Sequence, residues 1–178
     1  MLFLRLLLKL YTMAQTKLGE NVVNTNGSLP AIGSSAPYFL LAGIDLKEAR
    51  LNDYAGKNIV MNIFPSIDTS VCAMSVREFN KRAAALPETV VLCISKDLPF
   101  AFRRFCGAEG IDKVICLSDF RNKGFSKSYG VEMIDGGMSG LFARTVVVID
   151  KQGKIIYTEL VPVIGQEPDY TAALDALK

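Results

Sequence analysis

Residues 64–72 read Phe64-Pro65-Ser66-Ile67-Asp68-Thr69-Ser70-Val71-Cys72, and a change of pattern within them decides the fold. An apolar strand pattern ends here, the proline interrupts it, and a helical pattern begins just past the cysteine. A thiol at a helix N-terminus faces unpaired backbone N–H groups, which stabilise thiolate over thiol. Cys72 is therefore a candidate nucleophile. Because the chain has no histidine, a Cys–His pair is excluded, and the helix, a hydroxyl group and an arginine must activate the thiol instead.

The composition predicts one compact domain. The chain has 178 residues, of which 50% are hydrophobic and 21% charged, so it has enough apolar material for a core. The net charge is +2 and the basic residues are scattered, so we expect no nucleic-acid partner. The four cysteines are too few and too irregularly spaced for a disulfide scaffold, which indicates a cytoplasmic protein. Without histidine or a CxxC pair, we expect neither a metal ion nor a cofactor.

The first twelve residues differ in composition from the rest of the chain. They are largely Leu, with Arg5 and Lys9 four positions apart. The segment is too short to span a bilayer, which takes about 20 apolar residues, although a weak anchor on a membrane surface is an alternative. We interpret residues 1–12 as a dispensable extension of a single domain, residues 13–178, and expect no stable association with a membrane.

The remaining pattern is that of an α/β domain. Segments rich in Val, Ile and Phe predict strands at residues 38–44, 58–64, 89–95, 113–117, 145–149 and 154–161. The central segments are nearly continuous apolar runs, which is typical of strands covered by helices on both faces. One helical pattern directly follows Cys72, and three further helices are predicted at residues 99–108, 121–129 and 168–177. An Asn26-Gly27 turn signal predicts a small N-terminal hairpin within residues 21–29.

Three segments resemble one protein family. The spacing Pro65-x-x-x-Thr69-x-x-Cys72 resembles the active-site signature of the peroxiredoxins, and residues 62–76 resemble their thiol peroxidase subfamily, an atypical two-cysteine group. Residues 103–110 and 143–150 resemble further segments of that subfamily, and the likeness runs from about Ile32 to the C-terminus. It implies a thioredoxin-like fold, with a central mixed sheet flanked by helices, and an enzyme that reduces peroxides.

The resemblance implies a role for four residues around the peroxide. Cys72 attacks the O–O bond, and the Thr69 hydroxyl orients thiolate and peroxide because it both accepts and donates hydrogen bonds. Pro65 shields the site from water, and Arg144 supplies a permanent positive charge. Each has a plainer interpretation: a buried thiol for Cys72, a helix cap for Thr69, a strand terminator for Pro65 and a surface charge for Arg144. Arg77, in the second turn of the same helix, is a rival cation that we rank below Arg144.

A second cysteine must resolve the sulfenic acid that forms on Cys72. Cys93 and Cys116 lie in apolar strand patterns, where buried thiols are expected. Cys106 lies near the end of a charged helix and agrees with the resolving position that the resemblance implies. A disulfide requires Cα atoms within about 7 Å, and we expect two cysteines on consecutive helices to lie farther apart than that. We therefore expect the segments around Cys72 and Cys106 to unwind partly when the bridge forms.

The resemblance also implies the partners: hydrogen peroxide and organic hydroperoxides as substrates, thioredoxin as the reductant, and a second copy of the chain in a homodimer. Apolar residues that could accept an alkyl tail are Phe39, Met133, Ile134, Met138, Leu141 and Phe142. The alternative is a non-enzymatic redox sensor, which requires oxidation but no turnover. A general disulfide oxidoreductase is disfavoured because the chain has no CxxC motif.

Overall fold

The computed structural model describes residues 13–83 and 85–178, and the interpretation of residues 1–12 lies outside them. Nine strands and four helices follow one another in the order β1 (Gln15–Leu18), β2 (Asn21–Asn24), β3 (Leu40–Gly43), β4 (Glu48–Arg50), β5 (Asn58–Ile63), α1 (Ser70–Ala83), β6 (Thr89–Ser95), α2 (Pro99–Glu109), β7 (Ile115–Ser118), α3 (Phe125–Tyr129), β8 (Thr145–Ile149), β9 (Ile155–Leu160) and α4 (Tyr170–Asp175). A short 3-10 turn, Leu51–Tyr54, lies between β4 and β5.

Seven strands form one mixed sheet in the order β4-β3-β7-β6-β5-β8-β9. The three central strands β5, β6 and β7 are parallel to one another, and the outer pairings are antiparallel. The fold class expected from the sequence, a mixed sheet flanked by helices, is therefore confirmed.

Alternate residues of the central strands divide the core into two layers. In β5, Ile59, Met61 and Ile63 pack on one face with α3, whereas Val60 packs on the other face with α1, α2 and α4. Strand side chains point alternately to opposite faces, so a strand buried on both sides is apolar at nearly every position. Cys72 belongs to the layer under α1.

The N-terminal hairpin exists, but its predicted position is wrong. The strands are β1 and β2, which are joined at Gly19, where φ is +61°. Asn26 instead donates its backbone N–H to the Glu132 carbonyl at 2.7 Å, because a tertiary contact outweighs the local Asn-Gly turn preference.

Other element boundaries also differ from the prediction. The helix expected at residues 121–129 is only the five-residue α3, and the three-residue edge strand β4 has no apolar run that would mark it in the sequence. A turn at residues 150–153 joins β8 to β9. Within residues 13–83 and 85–178, no helix is long and apolar enough to cross a membrane.

Gly130, which caps α3, permits a close contact between two backbone segments, and replacing it tests the packing there. Its φ is +66°, and a Cβ there would lie 2.4 Å from the Ser28 carbonyl oxygen. Gly130→Ala is therefore expected to lower the free energy of unfolding by about 1–2 kcal/mol for the left-handed backbone and by about 1–3 kcal/mol more for the clash. Gly153→Ala, with φ +76° and open space around it, should show only the loss that comes from the backbone. Urea unfolding measures both, and equal losses of unfolding free energy would contradict the prediction.

Candidate active site

Cys72 lies in the first turn of α1 because the chain turns sharply after β5. Pro65 is buried in the bend that follows the strand, and the helix begins five residues later at Ser70. The Thr69 carbonyl accepts the Ala73 N–H at 2.9 Å, the first helical hydrogen bond around the cysteine. The Cys72 side chain is fully buried. Its sulfur therefore lies in the first turn of a helix and is shielded from bulk water.

The guanidinium of Arg144 lies against this sulfur. Its Nη2 is 3.4 Å from Cys72 Sγ, and its Nε donates to the Ile164 carbonyl at 2.9 Å. The side chain is only 2% exposed, and Nη1 makes no hydrogen bond within the described part of the chain. A buried guanidinium thus contacts the sulfur directly, and Nη1 is a donor still available for a ligand oxygen.

Strand pairing explains how two residues 72 positions apart meet. Ile63, the last residue of β5, pairs with Thr145, the first residue of the antiparallel β8. Arg144 therefore enters the sheet at the edge where the chain leaves β5 for the Cys72 loop. The arrangement depends on the register of β5 and β8, since a one-residue slip would move the side chain to the other face.

Thr69 is half-buried and directly precedes α1. Its hydroxyl donates to the Ser66 carbonyl at 3.1 Å, which holds the turn closed. In the part of the chain that the structure describes, no helix N–H donates to this side chain, so the cap expected of it is not formed and the hydroxyl bonds back into the loop instead. The oxygen of that hydroxyl keeps lone pairs with which it can accept a hydrogen bond from a ligand.

Asp97, which follows β6, holds the same loop and was missed in the sequence. Its carboxylate accepts the Ser66 hydroxyl at 2.8 Å, the Ile67 N–H at 2.7 Å and the Ser95 hydroxyl at 2.6 Å. Because β5 and β6 are parallel, their carboxyl ends meet at one edge of the sheet. Polar residues after two neighbouring parallel strands were the signal that could have identified this contact.

Arg77 does not contact the cysteine. Its guanidinium donates to both carboxylate oxygens of Glu109, at 2.9 and 2.8 Å, and lies over the Phe105 ring. A second ion pair joins Arg104 to Asp68 at 2.7 Å. The C-terminal half of α2 is thus linked by two exposed ion pairs to the middle of α1 and to the turn that precedes it.

Cys106 lies in the last turn of α2 and is half-buried. Its carbonyl accepts the N–H groups of Gly110 and Ile111, which end the helix. Its sulfur is 3.5 Å from that of Cys116, and all four cysteines are free thiols. The hydrogen bond with Cys116, together with burial, raises the pKa of Cys106 above its ordinary value.

Cys93 and Cys116 are buried in β6 and β7, as expected from their strand patterns. The apolar residues suggested for an alkyl tail lie in different parts of the structure. Phe39 and Phe142 belong to the core layer on the face away from Cys72, whereas Met133 packs with Ala143 and Ile164 beside Arg144. Among the described residues, no cluster of three metal-ligating side chains occurs.

Comparison with known proteins gives consistent results. The profile of the Redoxin family matches residues 31–174. Thiol peroxidases of Mycobacterium bovis and Mycobacterium tuberculosis are 56% identical over 165 residues, which cover 93% of this chain and 99% of theirs.

Two solved structures are also similar. A peroxiredoxin-like protein from Aquifex aeolicus superimposes with a TM-score of 0.86 and 36% identity, covering 92% of this chain and 96% of that chain. A thiol peroxidase from Chromobacterium violaceum has the same fold, with a TM-score of 0.84, 21% identity and coverage of 90% and 93%.

Removal of the Asp97 carboxylate should loosen the loop that carries Thr69. Asp97→Ala leaves the Ser66, Ile67 and Ser95 donors without their acceptor, and hydrogen bonds to a charged group contribute about 1.5–3 kcal/mol each before relaxation. We expect a loss of about 2–4 kcal/mol in unfolding free energy and faster amide exchange at Ile67. Asp45→Ala, on an exposed turn, is the matched control and should change stability by less than about 0.5 kcal/mol. Unchanged exchange at Ile67 would show that Asp97 does not hold the loop.

Proposed function

The chain belongs to the Redoxin family and, within it, to the thiol peroxidases, and from the site geometry we propose that Cys72 is its peroxidatic nucleophile. The observation that carries the proposal is the 3.4 Å contact between Arg144 Nη2 and the buried Cys72 sulfur. Peroxide reduction needs a thiolate and a donor for the departing oxygen. This arrangement supplies both without histidine.

In the proposed first step, the Cys72 thiolate attacks one peroxide oxygen, and the O–O bond breaks. The departing oxygen leaves as water or an alcohol after it takes up a proton, and the sulfur becomes a sulfenic acid. The unpaired Nη1 of Arg144 donates to the peroxide, and the Thr69 hydroxyl orients it. Pro65, buried at the bend, limits the access of water to the sulfenic acid.

In the second step, Cys106 condenses with the sulfenic acid, releasing water and forming the Cys72–Cys106 disulfide. Cys106 rests against Cys116 in the last turn of α2, so the segments around Cys72 and Cys106 must unwind partly. The half-buried position of Cys106 at a helix end supports this role, because helix ends open at low cost.

The disulfide is then reduced by an external thiol, and we propose thioredoxin as that reductant. Leu98 and Phe100, at the start of α2, are more than half exposed. They border a cavity of about 360 Å³ together with Asp68 and Arg104. An apolar surface beside the reactive segments suits either the reductant or the second copy of a homodimer. From the number and spacing of the cysteines, we propose a cytoplasmic location.

Charge at Arg144 should control the first step. Arg144→Gln removes the cation beside Cys72, and loss of one donor in such a site lowers rates about 10²–10³-fold. We expect a loss of that size in the single-turnover rate with hydrogen peroxide, measured by rapid-quench labelling of the sulfenic acid. Arg77→Gln, whose guanidinium pairs with Glu109, should stay within about threefold of the unchanged chain. Similar losses of rate in both variants would show that the first step does not depend on the cation of Arg144.

Turnover distinguishes the enzyme from a non-enzymatic redox sensor. Peroxide consumption is coupled through thioredoxin and its reductase to NADPH oxidation, and continuous NADPH loss is expected. Cys72→Ser should abolish it, whereas Cys106→Ser should complete about one turnover and stall as sulfenic acid. Oxidation that stops at one equivalent with every cysteine present would instead support the sensor. Full cycling of Cys106→Ser would move the resolving role to Cys93 or Cys116.

A further inference from the structure

Three of the four thiols form a cluster that the proposed cycle uses only in part. Cys93 and Cys116 are direct partners in the parallel pairing of β6 with β7, and the Cys106 sulfur lies 3.5 Å from that of Cys116. The cycle requires Cys106 alone. Cys116 is therefore a buried nucleophilic group without a role in it, in contact with the residue that carries the disulfide.

Cys116 and Cys106 belong to different kinds of element. Cys116 belongs to the central sheet and is 4% exposed, while Cys106 belongs to the last turn of a helix. Disulfide bond formation requires the sulfurs to approach to about 2 Å. From 3.5 Å, Cys106 and Cys116 need only a small shift with α2 in its folded position. If that last turn returns to its folded position while the segment around Cys72 is still unwound, the Cys106 sulfur reaches Cys116 with its bond to Cys72 intact.

We propose that Cys116 is a third redox-active cysteine, which removes the disulfide from Cys72 by thiol–disulfide exchange at Cys106. The inference rests on the proposed function. The Cys116 thiolate attacks the Cys106 sulfur, a Cys106–Cys116 bond forms, and the Cys72–Cys106 bond breaks with its electron pair leaving on Cys72. One proton leaves Cys116, and the departing Cys72 thiolate pairs with Arg144. No external oxidant or reductant takes part, and the number of disulfides is unchanged.

The surroundings of the two sulfurs set the direction and speed of this exchange. A thiolate stabilised by a neighbouring cation is the better leaving group, and Cys72 has that cation at 3.4 Å. The pKa of Cys116 is raised: the contact with Cys106 opposes the rise, but the hydrogen bond with Cys93 and burial outweigh it. Attack by Cys116 is therefore slow, on the scale of seconds to hours typical of disulfide reshuffling.

A cavity gives solvent a route to the pair. It has a volume of about 250 Å³ and is lined by Gly43, Ile44 and Asp45 on one side and by Cys106, Ile111 and Cys116 among others on the other. The Cys116 proton can leave through it. Because attack by Cys116 is slow, the exchange competes with the external reductant only when that reductant is scarce. It then returns Cys72 to the thiolate, which can react with another peroxide.

Peptide mapping tests the transfer directly, because trypsin places the four cysteines on four peptides. These are residues 58–77 for Cys72, 83–96 for Cys93, 105–113 for Cys106 and 114–121 for Cys116. The reduced chain is treated with one equivalent of hydrogen peroxide and sampled over hours in N-ethylmaleimide. We expect the 58–77/105–113 link first. The 105–113/114–121 link should then replace it in about half of the chains or more, with Cys72 becoming alkylated.

Three variants serve as controls. Cys116→Ala should keep the first link indefinitely, and Cys93→Ala, which removes the neighbouring buried thiol, should still show the transfer. Cys72→Ser should form no 105–113/114–121 link with stoichiometric peroxide, since no oxidised Cys72 exists to pass on. Without reductant, the unchanged chain should consume about two equivalents of peroxide and Cys116→Ala about one.

The outcomes separate this inference from the proposed function. A 58–77/105–113 link that persists unchanged overturns the transfer and leaves the peroxidase cycle intact. Absence of that link at all times overturns the resolving role of Cys106 itself. A link from 105–113 to 83–96 would assign the exchange to Cys93 instead of Cys116. Formation of the Cys106–Cys116 link in Cys72→Ser would show direct oxidation of the pair and overturn the exchange route.

Discussion

The Arg144 guanidinium is 2% exposed and lies 3.4 Å from the Cys72 sulfur, so the protein holds a permanent charge out of water beside an ionisable partner. Removing a cation from water costs several kcal/mol unless an opposite charge or hydrogen bonds compensate. The Ile164 carbonyl supplies part of that compensation, and the Cys72 sulfur accepts a second hydrogen bond from Nη2. In the proposed cycle, oxidation of Cys72 removes its negative charge. The same step that creates the sulfenic acid therefore weakens the contact that holds the first turn of α1.

The sheet brings these groups together through register. The ends of β5 and β6 and the start of β8 share one edge, which positions the Cys72 loop, Asp97 and Arg144 around a common point. A second group lies on the parallel strands. Asn62 of β5, Cys93 of β6 and Cys116 of β7 are paired in one row across the sheet. Asn62 donates to the Ser75 hydroxyl, which in turn donates to the Cys72 carbonyl. A buried polar row thus joins the helix that carries Cys72 to the strands that carry Cys93 and Cys116.

Local pattern was sufficient for the central strands and for α1, because apolar runs and helical spacing are properties of neighbouring residues. Val76 and Phe79, three positions apart on α1, are both buried. The hairpin β1–β2 was misplaced, since the contact of Asn26 with Glu132 joins residues far apart in sequence. Asp97 and the Cys106–Cys116 contact were missed for the same reason. The family resemblance identified Arg144 as a candidate, but its anchor is a backbone carbonyl at Ile164, which no side-chain pattern reveals.

Two ion pairs join α2 to α1 and to the turn before it, Arg77–Glu109 and Asp68–Arg104, and more than a third of each side chain is exposed. Dissolved ions screen such pairs, and the screening strengthens as ionic strength rises. In the proposed cycle, they connect the segments that separate before Cys106 reaches Cys72. In that cycle, the two pairs hold the segments together less firmly as the salt concentration rises, so the ionic strength of the medium, as well as the peroxide, sets how often Cys106 is released.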